Sequence, residues 1–225
     1  MTQRLQGIAD EAASGVAKMI IEGSNRLLGR SSNLLRILSN HSPYLARWFV
    51  GFVGAVRQPN LGATSDMRLR TLACIKTSMT NECVYCTTHT SILGQTTGMT
   101  KEELAAMKDG SYRASPLFSE RDKAAIAWAE AVTRNTAPRD KALWAEMKRL
   151  FSDAEIVEIT MASAMFNLIN RLNDTFWTEL ETVDYNRRQG NAIKGLSVAD
   201  IEAYAARFAP VGEAARAGVS TEAAE

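Results

Sequence analysis

Apolar positions recur at three- and four-residue intervals along most of the chain, and no stretch alternates as a half-buried strand would. The pattern predicts an all-α, multi-helix protein. Helices are expected near 3–22, 26–39, 43–57, 65–80, 83–97, 101–109, 119–134, 139–150, 153–182 and 197–208. Their starts carry chemistry. Thr100 with Glu103, Ser119 with Asp122 and Ser152 with Glu155 each pair a polar cap with an acid three residues on. The cap oxygen accepts an orphan backbone N–H, and the acid suits the positive end of the helix. Gly98, Gly110 and Pro138 read as stops. Leu69, Leu72, Ile75 and Met79 make one apolar stripe. Ile156, Ile159, Met165, Phe166, Ile169, Leu172 and Phe176 make a wider one, as a core helix needs. Helix 43–57 carries Tyr44, Leu45, Trp48, Phe49, Phe52 and Val53, more apolar surface than one packing face requires. That excess predicts a contact between subunits.

Composition narrows the function classes. The 225 residues are 46% apolar and 23% charged, with a formal net charge of +1. Near-neutrality gives no electrostatic reason to expect a nucleic-acid or anionic-membrane partner. The opening MTQRLQGIADEAAS lacks a secretory pattern, and no apolar run reaches spanning length, so a cytoplasmic address is expected. After Asp184 the chain becomes small and polar, and its last dozen residues are expected to lack fixed structure.

Three cysteines are too few for a disulfide framework, and two of them, Cys83 and Cys86, stand three residues apart. If a helix begins near Cys83, then Cys83, Cys86 and His89 share an arc about 120° wide. Thiols one turn apart can close a disulfide with little backbone movement. Backbone N–H groups of a first turn stabilise a thiolate, and His89 can shuttle a proton. Glu82, beside Cys83, is a second candidate acid–base group. Other readings stand beside this one. The cysteines can be small buried hydrophobes, the reading that suits Cys74. They can be zinc ligands with His89, although a closed site needs a fourth ligand. Covalent haem is excluded, because Thr87 and not a histidine follows Cys86.

The segment from Arg68 to Thr100, containing Cys83-Val-Tyr-Cys86, resembles the alkylhydroperoxidase D-like branch of the carboxymuconolactone decarboxylase-like superfamily. Phe166-Asn-Leu-Ile-Asn-Arg-Leu-Asn-Asp174 looks like the Asn-Arg core helix of that family. The resemblance implies an N-terminal helical extension over 1–41, a family domain over 42–185, and a linker, short helix and tail over 186–225. It also implies a homo-oligomer, a trimer or hexamer, that reduces a small hydroperoxide or disulfide without cofactor or metal. Cys86 would attack and Cys83 resolve, with recharging by a disulfide-reducing protein or small thiol. Two positions depart from the pattern. Thr71 stands where a glutamate is expected, and Thr90 where the histidine is expected, with His89 one place early. Two alternatives use the same fold: a decarboxylase or isomerase of a small organic acid with His89 as proton donor, and a non-enzymatic redox-sensing oligomer.

Overall fold

The structure, a computed structural model, describes residues 2–58, 62–181 and 197–207. Among these residues the chain forms α1 (Gly15–Leu28), α2 (Asn33–His41), α3 (Pro43–Arg57), α4 (Met67–Thr80) and α5 (Val84–Thr96). It continues with α6 (Lys101–Asp109), α7 (Glu120–Thr133), α8 (Lys141–Leu150), α9 (Asp153–Phe176) and α10 (Val198–Ala206). No strand occurs among the described residues. Thr100, Ser119 and Ser152 form the expected capping boxes, and Ser197 with Asp200 forms a fourth. Each such cap is worth about 1 kcal/mol.

Helix α4 lies at the centre and packs against α7, α9 and α5. Every residue from Leu69 to Ser78 is buried. A helix enclosed on all sides must find partners for its polar groups. Thr77 Oγ1 lies 2.7 Å from Ser163 Oγ of α9, and Ser78 Oγ donates to Cys74 O at 2.9 Å. Two apolar clusters flank α4. The larger joins Ile20, Leu35 and Val50 to Ile159, Met165 and Phe166. The smaller holds Leu72, Ile75, Met107, Tyr112 and Ile126. Each large aliphatic side chain so buried contributes about 1.5–3 kcal/mol.

The helix predicted over 3–22 does not form there. Residues 2–9 are not helical; Arg4 N donates to Phe176 O at 2.8 Å and Ile8 N to Arg36 O at 3.2 Å. Donors committed to other elements cannot feed a helix ladder. Helix α1 starts only at Gly15 (φ +50°) and ends at Gly29 (φ +71°), both in the left-handed region. The helix predicted from residue 26 therefore begins at Asn33, with Ser32 Oγ accepting the Leu35 N–H. The helix predicted to reach 182 ends at Phe176. Trp177 adopts φ +51° there, with the Arg4 guanidinium 3.8 Å above its ring. These breaks send Arg30 and Glu181 towards the thiols. The polar linker and the tail expected after Asp184 lie outside the described residues. Helix α10 returns against α1 and α3, where the Tyr204 hydroxyl donates to Arg47 O at 2.9 Å.

Candidate functional site

The thiols sit at the junction of α4 and α5. Glu82 takes φ +58°, and Cys83 N donates back to Ser78 O at 3.1 Å. Cys83 is the N-cap of α5, its Sγ accepting the Cys86 N–H at 3.4 Å. A sulfur takes the place that a serine or aspartate oxygen usually fills. Cys86 lies in the first turn, where unpaired N–H groups favour a negative charge. Both thiols are free and almost fully enclosed, at 0% and 1% exposure. A hydrogen bond to Cys86, then burial and charge on Cys86, push the Cys83 thiol far above its ordinary value. Cys83 therefore holds its proton more tightly than an ordinary thiol does. Asn173 of α9 donates from Nδ2 to Cys86 Sγ at 3.3 Å.

One turn along α5, His89 is buried and its ring packs on Tyr85 with centroids 4.1 Å apart. Arg30 Nη2 lies 2.7 Å from His89 Nδ1. A guanidinium only donates, so Nδ1 is the acceptor and the ring proton sits on Nε2. That nitrogen lies 2.7 Å from Glu181 Oε2. Glu181 Oε1 accepts from the Tyr85 hydroxyl at 2.7 Å and from the Asn33 backbone N–H, with Arg30 Nη1 at 3.5 Å. Burial alone would raise the Glu181 pKa. The contact with His89 and the charge of Arg30 outweigh it and bring the carboxyl to about 2. Burial lowers the pKa of His89, which holds the ring neutral near pH 7. Tyr85 is pushed well above its ordinary value by burial and then by the Glu181 charge, so it stays a donor.

Several of these groups border a small, partly open cavity of about 60 Å³. Arg30, Arg57, Cys86, His89 and Asn173 line it, with Leu34, Phe49, Phe166 and Ile169 as apolar wall.

The structure thus brings together Cys83, Cys86 and His89. It leaves Glu82 exposed on the turn. Thr71 is buried within α4, and Thr90 donates from its hydroxyl to Cys86 O at 2.8 Å. Cys74 is enclosed in the core, where burial pushes its pKa to about 12. Among the described residues no group of three or more His, Cys, Asp or Glu is arranged to hold a metal ion. No described helix is long and apolar enough to cross a membrane. Sequence reasoning missed Arg30, Arg57, Glu181 and the role of Asn173. Asn173 was within reach, since it belongs to the Asn-rich core helix. Arg30 lies 59 residues before His89, and Glu181 lies 96 residues after Tyr85. Nothing local marks either.

Known proteins resemble this chain in sequence and in fold. The sequence pattern of the carboxymuconolactone decarboxylase family matches residues 43–131. An uncharacterized Escherichia coli protein, YnjA, is 30% identical over 131 residues, covering 58% of this chain and 68% of its own. Among solved structures, the debrominase Bmp8 superposes with a TM-score of 0.68 at 22% identity, covering 86% of this chain and all of its own. A peroxidase-related protein from Ralstonia eutropha, described as an alkylhydroperoxidase AhpD core, gives 0.68 at 19% identity, covering 82% of this chain and 96% of its own.

Proposed function

The chain belongs to the carboxymuconolactone decarboxylase family, and from that premise we propose that it is a thiol-dependent reductase of a small hydroperoxide. The observation that carries this reading is the pair of free thiols one turn apart, with Cys86 in the first turn of α5 and at the wall of a small cavity. The Cys86 thiolate attacks the terminal peroxide oxygen, the O–O bond breaks, and the leaving alkoxide takes a proton to become the alcohol. Cys86 is then a sulfenic acid. Cys83 attacks that sulfur, the S–S bond forms, and the departing hydroxide leaves as water once protonated. A disulfide-reducing protein or small thiol restores the pair with two electrons and two protons. Protons enter and leave through the Tyr85–Glu181–His89 group. Glu181, and not Glu82 or a residue at position 71, is the carboxylate of this relay.

The cavity beside Cys86 can admit a small hydroperoxide. A cavity of about 60 Å³ has room for roughly four waters. We place the protein in a reducing, cytoplasmic setting, where a free thiol pair persists. We also assign a homo-oligomer, because Tyr44, Leu45 and Trp48 of α3 remain 65%, 62% and 61% exposed in the single chain. A monomeric mass in light scattering at micromolar concentration would remove that assignment.

The test of function is peptide mapping after one equivalent of hydrogen peroxide. A Cys83–Cys86 link within one chain, with Cys74 still a thiol, is expected, together with steady turnover when a dithiol is supplied. Failure to link, or a link through Cys74, overturns the reading.

A further inference from the structure

Arg57 closes α3 beside the thiol cavity and takes no part in the relay. Its guanidinium is buried, 7% exposed, and sits 5.1 Å from the Phe166 ring centroid. Nη2 has no hydrogen-bond partner, and no carboxylate pairs with this side chain among the described residues. Burial brings its pKa down to about 10, which leaves it positive near neutrality. The other donors of the cavity wall are engaged, while Asn173 Oδ1, an acceptor, has no hydrogen-bond partner. Arg30 holds His89 and Glu181, and Asn173 Nδ2 holds the Cys86 sulfur. Charge is therefore uneven. Glu181 answers Arg30, and nothing with a fixed negative charge answers Arg57. A buried, fully charged donor facing a void is a costly arrangement unless an anion enters it.

We propose that Arg57 determines specificity in this cavity: its free Nη2 receives an anionic oxygen of the substrate, so the thiol pair favours small substrates bearing a carboxylate or comparable oxyanion. As a statement about turnover this rests on the thiol-reductase reading; as a statement about binding it stands on the cavity alone. A rival role is that of counter-ion to a Cys86 thiolate, and the two differ in a measurable way.

Iodoacetate and iodoacetamide have nearly the same shape and differ by one charge. Each alkylates a thiolate, forming a carbon–sulfur bond and releasing iodide. Their rates at Cys86, followed by peptide mass, are compared in the native protein, Arg57→Gln and Arg57→Lys. The expected result is an iodoacetate-to-iodoacetamide ratio about tenfold lower in Arg57→Gln, the scale of one partly desolvated charge contact, with much of it restored in Arg57→Lys. The neutral reagent normalises for changes in folding and thiolate content. Equal slowing of both reagents is the signature of the counter-ion role and overturns the proposal, as does an unchanged ratio. Should Cys86 of the native protein resist both reagents, the thiol-reductase reading falls and crystals soaked in sodium bromide decide the binding site. A bromide against the Arg57 guanidinium upholds the assignment, and a cavity without one overturns it.

Discussion

Lys76 and Arg57 are buried to the same extent, 7% exposed each, yet they stand in opposite surroundings. Lys76 Nζ donates to Met107 O at 3.2 Å, lies 3.4 Å from Glu130 and sits 5.3 Å from the Tyr112 ring centroid. Glu130 is shared further with Arg113 and Arg134. In that corner of the fold the buried cation has an acidic partner. Arg57 has an aromatic ring on one side and an unpaired Nη2 beside a cavity. The cysteines divide the same way. Cys74 Sγ reaches only Ala162 O at 3.8 Å, whereas Cys86 receives Asn173 and borders the void. Burial alone does not mark function in this core. A buried polar group left open beside a space is what distinguishes the proposed site.

The largest expected effect separates the cysteines. Cys86→Ser should remove peroxide turnover entirely, measured as dithiol-dependent peroxide loss. Cys74→Ser should leave the rate within about twofold, while costing about 1–3 kcal/mol for a hydroxyl placed in the core. Loss of turnover in both variants would mean that the two sites are not distinct.

Next comes stability at the two cations. Lys76→Met removes a donor from Met107 O and one partner of Glu130, and should cost about 2–4 kcal/mol in urea unfolding. Arg57→Met removes a charge with no acid partner, and should be neutral or stabilising by about 1–2 kcal/mol. Equal losses would show that Arg57 is as saturated as Lys76.

Acidity should then distinguish the regions by pH window. The folded pKa of His89 is lowered from 6.5, chiefly by burial, so the unfolded chain takes up a proton that the folded one refuses. Stability must fall as pH drops below about 6.5, by at most about 1.4 kcal/mol per pH unit for one proton. The depressed carboxyls behave differently. Glu181, lowered from 4.5 to about 2, gives stability that is complete above 4.5 and lost on the way down to about 2. Glu130 is also lowered from 4.5, burial opposing and Lys76 favouring the shift, so its contribution is likewise lost only at acid pH. The interval between 6.5 and 4.5 therefore belongs to the thiol region. Melting followed across it should flatten in His89→Gln and stay sloped in Lys76→Met.

What the sequence made legible follows from where each signal lives. Capped, periodic segments from α3 to α9 were readable because cap, stripe and stop lie within a few residues of one another. The same locality exposed Cys83, Cys86 and His89. The N-terminal segment misled because Leu5 and Ile8 share a helical spacing, yet its backbone donors bond to Phe176 and Arg36. The missing glutamate was a problem of the same kind. The expected position, Thr71, is enclosed in α4, and the carboxylate that meets His89 comes from Glu181 after an unforeseen left-handed break at Trp177. Long-range contacts made by unpatterned polar segments leave no periodic trace.

The smallest effect is expected at Glu82, and it sharpens the contrast between a residue adjacent to the thiols in sequence and one adjacent in space. Glu82 precedes Cys83, but its side chain is exposed and its backbone sits at φ +58°. The left-handed region costs a non-glycine residue about 1–2 kcal/mol, and glycine occupies it freely. Glu82→Gly should therefore raise stability by up to about 1 kcal/mol, offset in part by the greater freedom of glycine in the unfolded chain. Turnover should stay within about twofold, as the proposed relay through Glu181 requires. Glu181→Gln, which keeps the shape and removes the charge, should lower turnover by about 10²-fold, the lower end of what a positioned acid–base group contributes. A rate that falls in Glu82→Gly and holds in Glu181→Gln would move the relay from the cavity wall to the turn. The sulfur pair would then be served from its solvent side.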